Sequence, residues 1–207
     1  MKITKIAQQK KNKKRFSIYV DDEYRIGISD ELLVKYDLKV DDVMPQELLD
    51  TILVQEEKIN IKNRILRSIQ HRIKSTYELE QRFINDGYDQ GMIDEVIDDL
   101  TNEGILNNDQ LTRAYINDHT NINPHGNRHI LFELKKKGIP ERTILEMLSK
   151  RDEKKVAMNY FNRKLNKLCL KDPKDRRKAV NRLLNRGFTS SIVYEIVNER
   201  IKTEHDQ

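Results

Sequence analysis

The sequence is short of the residue types on which many specialised sites depend. Cys169 is the single cysteine, so no internal disulfide can form, and its setting predicts a buried structural thiol on a helix. The seven glycines are scattered and make no phosphate-cradling loop. No run of about 18 apolar residues occurs, which predicts that no segment spans a membrane.

Aromatic and apolar residues are also scarce. Tryptophan is absent, aromatic residues make up 6% of the 207 residues, and hydrophobic residues make up 37% against 35% charged residues. This composition gives a thin core for one sphere and suits a row of small helical units that pack on their neighbours. The basic N-terminus lacks an apolar stretch and a cleavage site, so a secretory signal is not predicted and we expect a cytoplasmic protein.

The sequence offers no convincing catalytic or metal site. We find no Ser/His/Asp or Cys/His arrangement, so we predict a protein that is not an enzyme and has no cofactor. Two histidines lie four residues apart with a third nearby, but no cysteine or suitably placed acid joins them, which disfavours zinc: His125, His129 and His119. Four acids also recur at helical spacing without a completing histidine, which favours a solvated acidic face: Asp94, Glu95, Asp98 and Asp99.

A repeat with a period near 50 residues organises most of the chain. The glycines Gly87, Gly138 and Gly187 are separated by 51 and 49 residues. An apolar residue lies four positions before each glycine and a large apolar residue follows each one: Phe83, Leu134 and Leu183 before, and Tyr88, Ile139 and Phe188 after. Glycine ends a helix in the left-handed conformation without a Cβ penalty, so the pattern predicts three tandem repeats of three helices.

Helix start signals agree with this repeat. Ser75 and Glu78 have the spacing of a capping box, in which each side chain satisfies a backbone N–H at the start of a helix. Asp89 is placed to cap the helix after the first glycine. Pro140 and Thr189 mark the corresponding starts in the other two repeats.

The first 55 residues differ from the repeats. Segments 2–6, 15–20 and 24–28 alternate between polar and apolar residues, and the acidic stretch 21–23 lies between two of them, which predicts a small antiparallel β-meander. Short helices are predicted after Ser29 or Asp30 and after Pro45. The predicted fold is therefore mainly α, with an N-terminal β-meander and short-helix module at 1–55 and helical repeats at 56–106, 107–152 and 153–207. The loop at 121–127 is the predicted bend between repeats.

Charge is strongly segregated along the chain. Residues 150–187 contain 14 Lys or Arg and 4 Asp or Glu, whereas residues 70–110 contain 3 Lys or Arg and 10 Asp or Glu. Residues 1–20 have 7 bases and no acid, and residues 21–59 have 4 bases and 12 acids. Such segregation favours a polyanion partner for the basic parts and a basic protein surface for the acidic parts, although a solvated charged face remains the alternative.

The third repeat holds the candidate DNA-contact residues. Several of them recur at i, i+4, which places like charges along one helix face at a cost that bound phosphate would relieve. The candidates are Lys154, Lys155, Arg163, Lys174, Arg176, Arg177, Lys178, Arg182 and Arg186. The helix–Gly–helix units look like helix-turn-helix modules, but the candidate recognition helix 89–102 is acidic, so sequence-specific reading of the major groove is disfavoured.

A set of motifs follows one another in a fixed order along the chain. The motifs are Ser75-x-x-Glu78-Leu79-x3-Phe83-x3-Gly87-Tyr88, Leu100-x3-Gly104-Ile105-Leu106-Asn107-Asn108-Asp109, Ala114-Tyr115, Gly126, Phe132-Glu133-Leu134-x3-Gly138-Ile139 and Leu183-x3-Gly187-Phe188. This ordered set resembles the RecX family of bacterial regulatory proteins, the modulators of the RecA recombinase. The likeness covers residues 56–201, and the β-rich extension is similar to longer members from low-GC Gram-positive bacteria. The second repeat departs at Lys135, where the other two repeats have Ile84 and Leu184.

The resemblance implies an elongated, curved array of the three repeats that binds the RecA–single-stranded DNA filament and inhibits it. We expect a monomer that contacts single-stranded DNA without sequence preference. The acidic residues are then candidates for contact with the recombinase: Glu78, Asp94, Glu95, Asp98 and Asp99. Two alternatives stay open, namely a sequence-independent single-strand-binding protein that acts without a recombinase and an adaptor that binds only proteins.

Overall fold

The N-terminal sheet has three short antiparallel strands in the order β1-β2-β3. The computed structural model describes residues 1–205, in which β1 spans Ile3–Gln8, β2 spans Arg15–Val20 and β3 spans Glu23–Ser29. Asp21 and Asp22 connect β2 to β3 with φ of +50° and +65°, the left-handed conformation that a two-residue hairpin turn requires. The predicted meander and its acidic turn are confirmed.

Ten helices follow in the described part of the chain, which confirms the mainly helical fold. They are α1 Asp30–Lys35, α2 Gln46–Ile69, α3 Thr76–Asn85, α4 Gln90–Asn102, α5 Asn108–Asn121, α6 Asn127–Lys136, α7 Glu141–Leu148, α8 Glu153–Lys164, α9 Pro173–Asn185 and α10 Ser190–His205. No described helix is both long enough and apolar enough to cross a membrane.

The helix α2 is one continuous helix of 24 residues, so the prediction of a short helix followed by a separate one is wrong. Pro45 precedes its first residue, and the segment 55–58 consists of Gln, Glu and Lys, which are good helix formers. The residue boundary between 55 and 56 therefore falls inside this helix. The end points of the repeats remain predictions.

The predicted glycine turns share one geometry. Gly87, Gly138 and Gly187 have φ of +89°, +75° and +79°. In each turn the residue after the glycine donates its N–H to the carbonyl five residues earlier, and the glycine donates to the carbonyl three residues earlier. These two bonds define the Schellman motif, so the sequence pattern identified both the turn and its residue types.

The predicted helix starts are also observed. The Ser75 N–H donates to Glu78 Oε2 at 3.0 Å, and the Glu78 N–H donates to Ser75 Oγ at 3.1 Å, which is the reciprocal capping box. The Met92 N–H donates to Asp89 Oδ1 at 3.0 Å, as expected for a cap. Pro140 differs slightly because it lies one residue before α7 rather than in its first turn.

The segment after α8 corrects two predictions. We predicted a helix over 153–168 with a buried Cys169 on one face. The helix ends at Lys164, and Cys169 is exposed in the connection to α9. Leu165 and Leu170 fill the core on either side, so the connection turns the thiol outward.

Two compact units divide the described residues. The first comprises 1–72 and 82–100, and its core joins the inner face of the sheet to α1 and the first half of α2. The second comprises 73–81 and the residues from 101 onward, with one apolar cluster in repeat two and another in repeat three. The division runs through repeat one, because the first residues of α3 group with repeat two.

Candidate nucleic-acid interface

The outward face of α9 carries most of the basic residues that the sequence predicts to contact DNA. Pro173 and the Asp172 cap, which accepts from two backbone N–H groups, start the helix, and buried Ala179 and Leu183 fix its inner face. Five cations on the helix are exposed, and none makes an ion pair or a side-chain hydrogen bond with the described residues: Lys174, Arg176, Arg177, Lys178 and Arg182. Their charge is therefore available to a partner.

The cations of α8 divide into two kinds. Lys155 and Arg163 are exposed and unpaired among the described residues. Lys154 instead donates to Glu195 and Glu199 of α10 at 2.7 and 2.6 Å, and these hydrogen bonds raise the pKa of Lys154. The charge of Lys154 is thus compensated within the repeat.

Arg186, the last cation of the predicted ladder, also has partners in the protein. Its guanidinium donates to Asn123 Oδ1 at 2.9 Å and to the Pro124 carbonyl at 2.8 Å, and it lies 4.7 Å from the centroid of the Tyr160 ring. Arg186 therefore connects repeat three to the loop between α5 and α6.

A groove of about 750 Å³ lies among α5, α7 and α8 beside Lys155. Its lining mixes cations with acids: Arg113, Lys150, Arg151 and Lys155 with Asp109, Glu146 and Asp152. Sequence reasoning missed Arg113, because α5 has no basic run and only helix packing brings this residue beside α8. It also did not single out Lys150, which lies in the short connection before α8.

Repeat two receives the start of α3 through three contacts, which we call the first junction. Asn108 Oδ1 accepts from the Thr76 N–H at 3.1 Å, and the Asn108 side-chain amide donates to Thr76 Oγ1 at 2.9 Å. Gly138 packs so closely on Tyr77 that an added Cβ would lie 2.4 Å from the Tyr77 Cβ. The third contact is the ion pair that joins Lys137 to Glu78 at 2.5 Å.

Repeat three receives the start of α6 in the same way, which we call the second junction. Glu153 accepts the Asn127 N–H at 2.8 Å and both the N–H and the hydroxyl of Thr189. A Cβ added to Gly187 would lie 2.6 Å from the backbone nitrogen of His129. Arg186, directly before this glycine, makes the loop contacts described above. Both junctions thus use the turn glycine, the residue before it and the first residue of the first helix of the repeat.

Some of the predicted acidic contact residues have partners within the protein, and others are exposed. Glu78 is engaged in the capping box and in the first junction. Asp94, Asp98 and Asp99 are exposed on α4, and Glu95 beside them pairs with Lys58 of α2. The α4 acids therefore form the available anionic face.

Three histidines meet at the loop between α5 and α6. One ligand nitrogen from each of His119, His125 and His129 lies within 4.8 Å of the other two. Burial lowers the pKa of His119 and lowers the pKa of His125 to about 4, so both imidazoles are neutral at neutral pH. The sequence shows only the spacing of residues 119, 125 and 129. It does not show that the three side chains meet, because their positions depend on the conformation of the loop.

Comparison with known proteins finds relatives that match nearly the whole chain. Residues 1–44 match the RecX N-terminal domain of the regulatory protein RecX. The regulatory protein RecX of Clostridium tetani is 31% identical over 98% of this chain and 96% of its own length. Those of Clostridioides difficile and Bacillus subtilis are each 32% identical, over 95% and 99% of this chain and 94% and 79% of their own lengths.

Solved structures share the fold. A crystal structure of regulatory protein RecX, 20% identical, aligns with a TM-score of 0.72 over 96% of this chain and 98% of its own. The crystal structure of RecX from Lactobacillus salivarius, 19% identical, aligns with a TM-score of 0.63 over 72% of this chain and 99% of its own. The chain belongs to the RecX family of regulatory proteins.

Proposed function

We propose that this protein is a negative modulator of the RecA recombinase in the bacterial cytoplasm. It binds the RecA–single-stranded DNA filament along its groove or at its end, and it inhibits ATP hydrolysis, strand exchange and coprotease activity without catalysing a reaction. The observation that carries the proposal is the exposed basic face of α9, which forms no ion pair with the described residues, in a chain of the RecX family.

The chemistry of α9 suits DNA phosphates better than a protein surface. Lys174, Lys178 and Arg182 follow one another at i, i+4, and such like-charge pairs destabilise a helix by a few tenths of a kcal/mol each. Phosphate groups placed along the face would remove this repulsion and release condensed counterions, which gives a sequence-independent, salt-sensitive contact. The α4 acids would contact basic recombinase surfaces. A filament covered in this way would exclude an incoming duplex or a repressor.

The first experiment measures RecA ATP hydrolysis and strand exchange on single-stranded DNA while the protein is added below one copy per recombinase. Inhibition at a small fraction of that ratio supports the modulator and indicates capping or disassembly rather than filling of the groove. No inhibition at any ratio would contradict the proposal.

Charge reversal tests the role of α9. The double variant Arg177→Glu/Arg182→Glu should lose most of the inhibition, because two cations become repulsive to phosphate. The matched control is Arg72→Glu/Arg142→Glu, which changes two exposed arginines outside repeat three by the same total charge and should inhibit normally. Equal inhibition by the two variants would show that the α9 cations do not contribute to the interface.

A second candidate is a single-strand-binding protein that acts without a recombinase, and the same α9 face favours it. Tight binding to bare single-stranded DNA with no effect on RecA would establish this alternative. In either case Arg177→Met should reduce the salt slope of DNA binding by about one ion. Lys154→Met should leave the slope unchanged, because Glu195 and Glu199 already compensate this charge.

A further inference from the structure

Several backbone hydrogen bonds hold the five-residue connection between α5 and α6. The N–H groups of Ile122 and Asn123 both donate to the Asp118 carbonyl, at 3.0 and 2.9 Å, and the His125 N–H donates to the His119 carbonyl at 3.0 Å. These bonds fold the chain back so that the last turn of α5 faces the first turn of α6. The loop geometry, rather than helical spacing, brings the histidines together.

Two imidazole nitrogens and one carbonyl oxygen converge in this loop. His119 Nδ1 lies 3.0 Å from His125 Nδ1, and the two nitrogens lie 3.2 and 2.8 Å from the Asn123 carbonyl oxygen. A metal ion at about 2.05 Å from nitrogen separates its ligands by about 2.9 Å in octahedral and about 3.4 Å in tetrahedral geometry. The triangle therefore has the edge lengths of a coordination polyhedron.

At least one proton or a cation must lie within this triangle, because its three atoms would otherwise all be acceptors. The carbonyl oxygen can only accept, and each neutral imidazole has one lone pair and one proton to place on either nitrogen. A proton on one Nδ1 serves the purpose in the metal-free protein. A bound metal would replace that proton, because both imidazoles can then carry their protons on Nε2.

From this convergence we propose that His119, His125 and His129 form a binding site for a transition-metal ion such as Zn²⁺, with the Asn123 carbonyl as an additional oxygen ligand. The His129 ring stacks on His125 with centroids 4.2 Å apart and an interplanar angle of 21°. One ring nitrogen of His129 lies within 4.8 Å of ligand nitrogens of the other two histidines. The proposal is independent of the proposed function.

The types of ligand and the charges around the site favour one class of metal ion over another. Arg151 donates to the carbonyls of His119 and His125 at 2.9 and 2.6 Å, and Arg186 donates to Asn123 Oδ1. Asp118 is the acidic neighbour of His119 on α5. Hard ions such as Mg²⁺ and Ca²⁺ require several carboxylates, whereas imidazole suits Zn²⁺, Ni²⁺ and Cu²⁺, so the site discriminates against the hard ions.

Metal binding would act on the second junction. His129 packs against Gly187, and Arg186 contacts the same loop as His125. An ion that ties α5, the loop and α6 together therefore fixes the surface that receives repeat three. We expect Zn²⁺ to stabilise the protein against unfolding, since a ligand that binds only the folded state shifts the equilibrium toward it.

The test uses the full chain without a histidine tag, stripped with EDTA and titrated with Zn²⁺ by calorimetry and with Co²⁺ by visible absorption. We expect one ion per chain, a rise in the unfolding midpoint with Zn²⁺, and at least tenfold weaker binding for His119→Gln, His125→Gln and His129→Gln. The control His71→Gln changes an exposed histidine outside the cluster and should bind normally.

Long-range nitrogen NMR of the imidazoles adds a readout that does not depend on folding stability. Zn²⁺ should shift the Nδ1 resonances of His119 and His125, and Mg²⁺ should shift neither. Unchanged affinity in His119→Gln and His125→Gln would overturn the site, as would Zn²⁺ binding without any Nδ1 shift. Unchanged affinity in His129→Gln alone would overturn the assignment of three histidines.

Discussion

The two junctions have the same plan but different chemistry. At the first junction a neutral side chain, Asn108, caps the start of α3, and one ion pair closes the contact. At the second junction a buried carboxylate, Glu153, caps the start of α6, His129 packs against Gly187, and Arg186 contacts the loop before α6. The repeated backbone geometry is therefore compatible with a plain structural contact in one place and with a ligand-responsive contact in another.

The largest expected effect comes from the turn glycines. Gly187→Ala should destabilise the protein by about 3 kcal/mol, because left-handed strain of about 1–2 kcal/mol adds to overpacking of about 1–3 kcal/mol against His129. Gly87→Ala should cost about 1 kcal/mol, since nothing lies within 4 Å of the added Cβ. Urea unfolding followed by circular dichroism measures both. Equal losses would mean that junction packing does not contribute.

Replacement of the capping side chain should cost more stability at the second junction, where the cap is charged, than at the first junction, where it is neutral. Glu153→Ala should cost about 2 kcal/mol because it leaves the Asn127 N–H and two Thr189 donors unsatisfied in a buried site. Asn108→Ala should cost about 1 kcal/mol, since Asn108 is partly exposed and water can replace it. The same urea measurement compares the variants.

Glu153→Gln is the control for this pair. It removes the charge and exchanges one carboxylate oxygen for an amide NH2, but it keeps one acceptor oxygen for the Asn127 and Thr189 N–H groups, so it should lose less stability than Glu153→Ala. A larger loss in Asn108→Ala than in Glu153→Ala would reverse the proposed order of the junctions.

The smallest effect should come from the ion pair of the first junction. Lys137→Met should cost about 1 kcal/mol or less, because the Lys137 side chain is 12% exposed and Glu78 keeps its capping role. The neighbouring Lys136→Met is the control, since its pair with Glu133 spans 3.3 Å on the surface and should contribute less than about 0.5 kcal/mol. A double-mutant cycle with Glu78→Gln measures the coupling energy between Lys137 and Glu78. A coupling energy of zero would show that the ion pair does not stabilise the junction.

Sequence patterns identified features that depend on a few neighbouring residues. The Schellman turns need a glycine with apolar residues four before and one after it, and the capping box needs only Ser75 and Glu78. Features that depend on distant packing were not visible. The predicted break in α2 was wrong because no proline or glycine interrupts that segment, and its apolar face continues from the sheet core to Ile61 and Ile65.

The candidate site shows the same division. Exposed cations of α9 could be identified from i, i+4 spacing because the opposite face holds Ala179 and Leu183. The same pattern includes Arg186, whose partners lie more than 60 residues earlier in the chain. Spacing alone does not distinguish a solvated cation from one that fills a structural role.

The continuity of α2 determines where the chain can be shortened. The helix is about 36 Å long, with Leu49 and Ile52 in the core of the sheet and Ile61 and Ile65 buried farther along it. A chain that begins at residue 56 would keep only the second half of α2. The apolar face of that half would lose its continuation into the sheet core and would be exposed. Deletion of the N-terminal segment should therefore impair solubility before it reveals any separate activity of that segment.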